Sequence, residues 1–336
     1  MKNILIDAEI YDKGLEQLKR VTGIGVDVIE PCEELRELPA ELLRDKHILF
    51  CSVPPKNLDD MRSLELIQIT SAGYSQLFGL DLPRRNIRAC NGRGVFDVTI
   101  AEWNIAMMIN LSRDLPAMMR NQQAGIWDRA ARFQREIRGL VVGLWGYGGI
   151  GRETARLAKA MGLIVHVLSR NSLRTREDIY VVPDTGDGRG VLPDAVFHPE
   201  QKKQFLSGLD FLILSMPLTK KTEGIVGEEE LKALPNRAYL LNPARGRLVK
   251  EDSLLKALRK GWIAGAALDT HFYYPMPPDH PLWYFPNVIM TPHISGSSLS
   301  PHFQERIWDI FCQNVTRYLA GRCLLNELTP EQLNGE

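Results

Sequence analysis

In LVVGLWGYGGIGRETARLAKAMG, residues 140–162, three glycines stand in the order Gly146-x-Gly148-x-x-Gly151 between an apolar run and a helix-like segment. Each would serve differently. Gly146 permits a tight turn, Gly148 lets backbone approach a pyrophosphate, and Gly151 allows a helix to pack closely on a strand. The phosphates would rest on the helix N-terminus, where unpaired N–H groups and the helix dipole favour an anion. A lone motif of this kind is weak, but in a strand–turn–helix setting it predicts a dinucleotide site. The next strand-like run, VHVLSRN, ends in Ser169 and Arg170, where an NAD site ordinarily carries Asp or Glu for the ribose 2′-hydroxyl. A carboxylate there repels a 2′-phosphate, whereas a hydroxyl and a guanidinium bind one. The expected cofactor is NADP, with NAD left open.

Such residues need a sheet to hold them. Short β-branched runs alternate with helix-like segments in the first part of the chain: NILID (3–7), GVDVI (25–29), HILFC (47–51) and LIQIT (66–70). That alternation predicts a parallel α/β domain. The segment 98–114, VTIAEWNIAMMINLSRD, is apolar on most faces and reads as a helix buried between domains or subunits. A second series supplies six strands, at 140–145, 163–169, 211–216, 238–242, 265–270 and 287–292, which suit one doubly wound sheet around the glycine motif. A helical pattern over 301–321 is expected to pack back on the first domain. Residues 171–205, rich in Pro, Gly and Asp, read as mostly loop, and a loop of that length is either functional or mobile.

Composition narrows the partners. At 336 residues the chain is long enough for two domains with separate cores, and its 44% hydrophobic and 24% charged content is globular. Lys plus Arg equal Asp plus Glu at 41 each, so no net field draws in nucleic acid or an anionic membrane. The implied partners are small molecules. Five scattered cysteines, Cys32, Cys51, Cys90, Cys312 and Cys323, form no C-x-x-C pair. They argue for reduced thiols in a cytoplasmic protein rather than a disulfide framework or a zinc site, and no metal is expected. The opening MKNILIDAEI is too short an apolar run for a signal peptide, and no apolar stretch reaches the roughly 18 residues that span a bilayer.

With these motifs in place, the chain resembles the D-2-hydroxyacid dehydrogenase family, and within it the glyoxylate/hydroxypyruvate reductases, which reduce 2-oxo acids with a nicotinamide cofactor. The resemblance covers nearly the whole length. SAGYSQL (71–77) is similar to the family's carboxylate-binding loop and GLWGYGGIG (143–151) to its cofactor loop. SMPLTKKTEGIVGEEELKALP (215–235) and LLNPARGRLVKEDSLLKAL (240–258) are similar to its fourth and fifth strand-to-helix regions, and NVIMTPHISGSS (287–298) to its histidine motif. The resemblance implies a flavodoxin-like substrate domain built from residues 1–104 and 302–336, a Rossmann cofactor domain at 105–301, and a homodimer. It implies that Arg245 pairs with the substrate carboxylate and polarises its carbonyl, and that His293 protonates the new alkoxide. Backbone N–H groups near Ala72 and Gly73, beside Tyr74, would hold the carboxylate. Gly149, Ile150, Met216, Pro217, Pro243, Ala244 and Asp269 would contact the dinucleotide.

The departure lies in AALDTHFYYPMPPDHPLW, residues 266–283. The family's pattern there is roughly L-D-V-F-x-x-E-P, in which the Glu holds the catalytic histidine and raises its pKa. Aligned on Leu268, Asp269 and Pro275, this sequence puts Tyr274 where the Glu belongs. Asp279 and His280 fit the ordinary downstream loop and are not recruited as substitutes. The reading is an NADP-dependent reductase of 2-oxo acids in which His293 works as acid/base without an acidic partner, with Tyr274 in the catalytic cluster. Formate dehydrogenases of the family also lack that Glu, though they need no acid. The alternative class is a non-catalytic dinucleotide-binding sensor, corepressor-like. Against it, the family's corepressors keep the Arg–Glu–His set, so losing Glu does not mark them. Tyr74, Phe96, Tyr273 and Tyr274 would either line a pocket for bulky 2-oxo acids or serve packing.

Overall fold

Apolar runs in the first 90 residues become five parallel strands: β1 (Lys2–Asp7), β2 (Ile24–Val28), β3 (Lys46–Cys51), β4 (Leu66–Ile69) and β5 (Arg88–Cys90). The computed structural model describes all residues except 131–133, 171, 172, 174, 176, 299 and 336. It divides into two units, Met1–Phe96 with Arg176–Val182 and Ser297–Glu336, and Asp97–Thr175 with Pro183–Gly296. In the first unit the strand order is β2-β1-β3-β4-β5, the flavodoxin-like winding, with α1 (Asp12–Lys19) and α2 (Ala40–Leu43) in the crossovers. Both faces of the sheet are covered, as parallel strands require. Ile4, Ile6 and Phe50 face one core cluster, while Leu5, Leu49 and Ile67 face another.

The second unit begins with α3 (Asp97–Ser112), the apolar helix expected over 98–114, followed by α4 (Leu115–Ala124). Within this unit α3 packs on α5 (Gly149–Ala160), burying Ala101, Asn104 and Met108. Seven parallel strands follow: β6 (Val141–Trp145), β7 (Ile164–Leu168), β8 (Ala195–Phe197), β9 (Phe211–Leu214), β10 (Tyr239–Asn242), β11 (Gly265–Leu268) and β12 (Val288–Met290). They stand in the order β12-β11-β10-β9-β6-β7-β8. Counted from β6, the order reverses between the first and fourth strands, as in doubly wound nucleotide folds. Helices α6 (Lys202–Ser207), α7 (Glu228–Ala233) and α8 (Glu251–Lys260) complete the crossovers.

The chain then returns to the first unit as α9 (Pro301–Leu319), where Trp308 and Phe311 pack on Phe50 of β3, and ends in α10 (Pro330–Leu333). Packing of the 301–321 helix on the first sheet is the arrangement its apolar spacing predicts. The sequence missed β5 and β8, each three residues long. Among the described residues no helix is long and apolar enough to cross a membrane, and no three His, Cys, Asp or Glu side chains gather as a metal site.

Candidate active site

The chain leaves β6 through Gly146, whose φ of +102° suits glycine, and a Cβ there would stand 2.7 Å from the Ser215 carbonyl oxygen. Ser215, just past β9, donates its hydroxyl to the Gly146 oxygen at 2.7 Å. A Cβ on Gly151 would stand 2.7 Å from the same Gly146 oxygen, and one on Gly149 would overlap the Asp97 carboxylate. Gly148 differs: nothing fills the space its Cβ would take, and as N-cap of α5 it offers no side chain to the first-turn N–H groups. The turn is closed behind and open in front, with Ile150 half-buried in the first helical turn. Such a cradle fits a pyrophosphate.

Other expected cofactor residues occupy neighbouring strand ends. Ser169 follows β7 and donates its N–H to Phe197 at 3.0 Å. Arg170 is exposed and has no partner among the described residues. Met216 is half-buried and Pro217 exposed just beyond β9, with the Pro217 carbonyl accepting the Thr222 hydroxyl at 2.8 Å.

The long 171–205 segment is anchored, although positions 171, 172, 174 and 176 lie outside the described residues. Tyr147, inside the glycine motif, donates its hydroxyl to Asp187 at 2.7 Å, and burial first and Asp187 second raise its pKa. Arg152 of α5 lies over the Tyr147 ring and donates to the Asp187 carbonyl. Glu153 accepts the Gly186 N–H at 2.5 Å. Earlier in the segment, the Tyr180 N–H donates to Asn326 at 3.2 Å within the first unit. The sequence marked this stretch as loop; side chains of α5 that gave no local signal hold it.

Because β10, β11 and β12 are neighbours, their ends gather Arg245, Asp269 to Tyr274, and His293. The Asn242 carboxamide accepts the N–H groups of Ala244 and Arg245 at 3.2 and 3.3 Å and donates to the Arg245 carbonyl at 2.9 Å. Pro243 is buried in that turn. The Arg245 guanidinium donates to the Ala244 carbonyl at 2.7 Å, and burial lowers its pKa, though an arginine so far from neutrality stays charged.

Asp269 is fully buried and accepts from Thr291 Oγ1 at 2.6 Å and from the N–H groups of Ile294 and Ser295 at 2.9 and 3.0 Å. Its carboxylate brackets His293, which sits at a left-handed φ of +59°. The aspartate that resemblance reads as a dinucleotide contact holds the histidine turn. His293 keeps a solvent-exposed edge. Enclosure of the rest of its ring, reinforced by the Arg245 charge and opposed by Asp269, holds its pKa below the ordinary histidine value.

Tyr274 stands 5.6 Å from His293 between ring centroids, and its phenol oxygen accepts the His271 N–H at 3.2 Å. Partial burial raises the phenol pKa, so it is un-ionised at neutral pH. No carboxylate takes the acid's place beside the imidazole among the described residues. Glu251 instead accepts from His280 Nε2 at 2.7 Å and from the Tyr273 hydroxyl at 3.1 Å. Of the two aromatic pocket candidates in this unit, Tyr274 joins Arg245 and His293, while Tyr273 bonds Glu251. Tyr74 is buried against Phe78, and Phe96 stacks on Phe303.

In the first unit, the loop after β4 has its carbonyls tied down. The Ser71 oxygen accepts the Gly92 N–H at 2.8 Å, the Ala72 oxygen accepts Asn91 Nδ2 at 2.7 Å, and the Gly73 oxygen accepts the Ser71 hydroxyl at 2.7 Å. Gln76 donates to Ser71 Oγ at 2.8 Å. The N–H groups of Ala72, Gly73 and Tyr74 have no partner among the described residues. Unpartnered N–H groups of such a loop can donate to an anion. Asn91 and Gln76, which build it, were not legible, because polar residues after a short strand resemble any surface turn.

The family model described as D-isomer specific 2-hydroxyacid dehydrogenase, NAD binding domain, matches residues 105–295. A glyoxylate reductase of Thermofilum pendens is 29% identical over 97% of this chain and 93% of its own. Among solved structures, a D-isomer specific 2-hydroxyacid dehydrogenase family protein of Aeromonas salmonicida is 26% identical, with 98% of this chain and 99% of its own covered at a TM-score of 0.80. An NADPH-dependent glyoxylate/hydroxypyruvate reductase of Sinorhizobium meliloti, in complex with NADP and malonate, is 26% identical, with 99% of this chain and 98% of its own covered at a TM-score of 0.74.

Proposed function

Since the chain belongs to the D-isomer specific 2-hydroxyacid dehydrogenase family, and so is an NAD(P)-dependent oxidoreductase, we propose that it reduces a small 2-oxo acid with NADPH in preference to NADH. The nicotinamide, when bound, supplies the hydride. Gly146, Gly148, Gly149, Ile150 and Gly151 cradle its pyrophosphate, Ser169 and Arg170 receive the 2′-phosphate, and Met216, Pro217, Pro243 and Ala244 line the dinucleotide. Asp269 contributes by holding the His293 turn.

Arg245 pairs with the substrate carboxylate and polarises the carbonyl, as a planar fork can. The free N–H groups of Ala72 and Gly73 offer a second carboxylate-binding element on the first unit, which acts as the substrate domain. His293 gives its proton to the new alkoxide, and the un-ionised Tyr274 phenol stands beside it as a neutral donor. The observation that carries this reading is the convergence of Arg245 and His293 on adjacent strand ends of the sheet whose β6 feeds the glycine turn. The Sinorhizobium meliloti relative, an NADPH-dependent glyoxylate/hydroxypyruvate reductase in complex with NADP, supports the cofactor and, through the acids it is named for, the 2-oxo acid class. Five unbridged thiols support a cytoplasmic setting, and the family resemblance supports a homodimer.

The test is steady-state NADPH oxidation across a panel of small 2-oxo acids, with NADH as the matched control. Turnover with at least one acid, faster with NADPH, is expected. Tight dinucleotide binding with no turnover on any of them would favour a sensor.

A further inference from the structure

After β11 two positions depart from L-D-V-F-x-x-E-P: His271 stands at the aromatic position as Tyr274 stands at the acid. The two are joined. The His271 main-chain N–H donates to the Tyr274 phenol oxygen at 3.2 Å, and their ring centroids lie 6.4 Å apart. The His271 ring reaches toward the other strand end, with Nε2 2.8 Å from the Thr291 carbonyl oxygen. A carbonyl only accepts, so Nε2 carries the proton. That same oxygen receives the His293 N–H at 3.0 Å. On its remaining side the His271 main chain abuts Gly246, where a Cβ would overlap the His271 carbonyl, directly after Arg245.

One residue, only 8% exposed, therefore touches the turns that carry Arg245, Tyr274 and His293. A phenylalanine would fill the space but could not hold Thr291. The histidine also leaves Nδ1 buried without a partner among the described residues, a cost that phenylalanine would avoid. A fold carries such a cost where function asks for it.

We infer that His271 is a positioning residue. Together with Tyr274 it does the orienting work of the missing carboxylate, fixing the Thr291–His293 turn through its ring and the Tyr274 phenol through its main chain. With its oxygen engaged as an acceptor, the phenol O–H is left to donate. The inference deepens the reading of Arg245 and His293 given above and rests on it.

The experiment compares the parent with His271→Phe, His271→Gln, Tyr274→Glu and the double variant His271→Phe/Tyr274→Glu. The measurements are thermal unfolding, NADPH-dependent reduction of 2-oxo acids, and the His293 ring titration by NMR, assigned with His293→Asn. His271→Phe should melt at or above the parent temperature, yet lose kcat on the order of 10-fold, as a small misplacement does, with the KM for NADPH unchanged. His271→Gln, whose amide can donate to Thr291, should recover most of the loss. The double variant should exceed both single variants, His271→Phe and Tyr274→Glu. The His293 titration should move in His271→Phe and return toward the parent in His271→Gln, because losing the Thr291 hydrogen bond frees the turn that carries the ring and a restored donor fixes it again. Equal kcat and an equal His293 titration in the parent and His271→Phe would overturn the inference. If the parent reduces no 2-oxo acid, the functional reading fails, and the titration alone decides: a shift supports the positioning role and no shift refutes it.

Discussion

The turn after β6 and the turn after β11 leave the same edge of one sheet, yet they are built on different principles. The first is made of backbone and absent side chains. Gly146, Gly149 and Gly151 each face an atom that a Cβ would meet, so the residue type is dictated by space. The second relies on side chains: Asp269 and His271 each bond the His293 turn, and the His271 main-chain N–H bonds the Tyr274 phenol. A steric cradle tolerates no exchange. A side-chain network can trade one member for another if a neighbour changes with it.

The largest effect should come from Arg245, where both regions meet the chemistry. Arg245→Lys should lower kcat/KM for the 2-oxo acid by about 100-fold or more, near 2.7 kcal/mol of transition-state stabilisation, because an ammonium cannot reproduce the fork. The KM for NADPH should stay near the parent value. An unchanged kcat/KM would remove Arg245 from the mechanism.

Gly149→Ala tests the rigidity of the cradle. Its methyl group meets the Asp97 carboxylate, so stability and NADPH affinity should fall together, stability by about 1–3 kcal/mol, read as a lower melting temperature. Retained affinity, read by fluorescence titration, would mean that the glycine turn is as adaptable as its neighbour and would break the comparison.

Arg170→Ala should weaken NADPH by about 1–3 kcal/mol, the scale of a charge-assisted hydrogen bond, and leave NADH nearly unchanged. An equal loss for both cofactors would deny Arg170 the 2′-phosphate.

The smallest shift tests the tunable region. Reduction needs protonated His293, so the rate should fall as pH rises through its pKa. The groups facing that ring are Arg245, His271, Asp269 and Tyr274, and their balance with burial lowers the pKa, so the alkaline decline should begin below the ordinary histidine range near about 6.5. Tyr274→Glu adds a negative charge that stabilises imidazolium and should move that limb upward by about one pH unit, roughly 1.4 kcal/mol. Tyr274→Phe should leave the limb in place. A kcat/KM profile that stays flat into alkaline pH, unmoved by the Glu variant, would exclude His293 as the proton donor.

Much of this was legible in the chain. Apolar runs such as FLIL and HILFC are buried on both faces, so they announce parallel strands without needing neighbours to explain them. The glycine motif is read directly because its constraint is local: a tight turn and a close approach belong to residues a few positions apart. Ser169 and Arg170 are legible for the same reason, lying at the end of a recognisable strand.

What the tertiary structure decided are relations between residues far apart in sequence. Asp269 clamps the His293 turn because β11 and β12 lie side by side, a role its local sequence did not carry. Tyr74, read as either pocket lining or packing, has its ring buried against Phe78. Tyr147, Arg152 and Glu153 became the anchors of a loop more than thirty positions away. His271 meets Thr291 across twenty residues. Local spacing determines which strands and turns form. Only the packed sheet determines which side chains then share a hydrogen bond, because that depends on strand order, and strand order follows from burying both faces of the sheet at once.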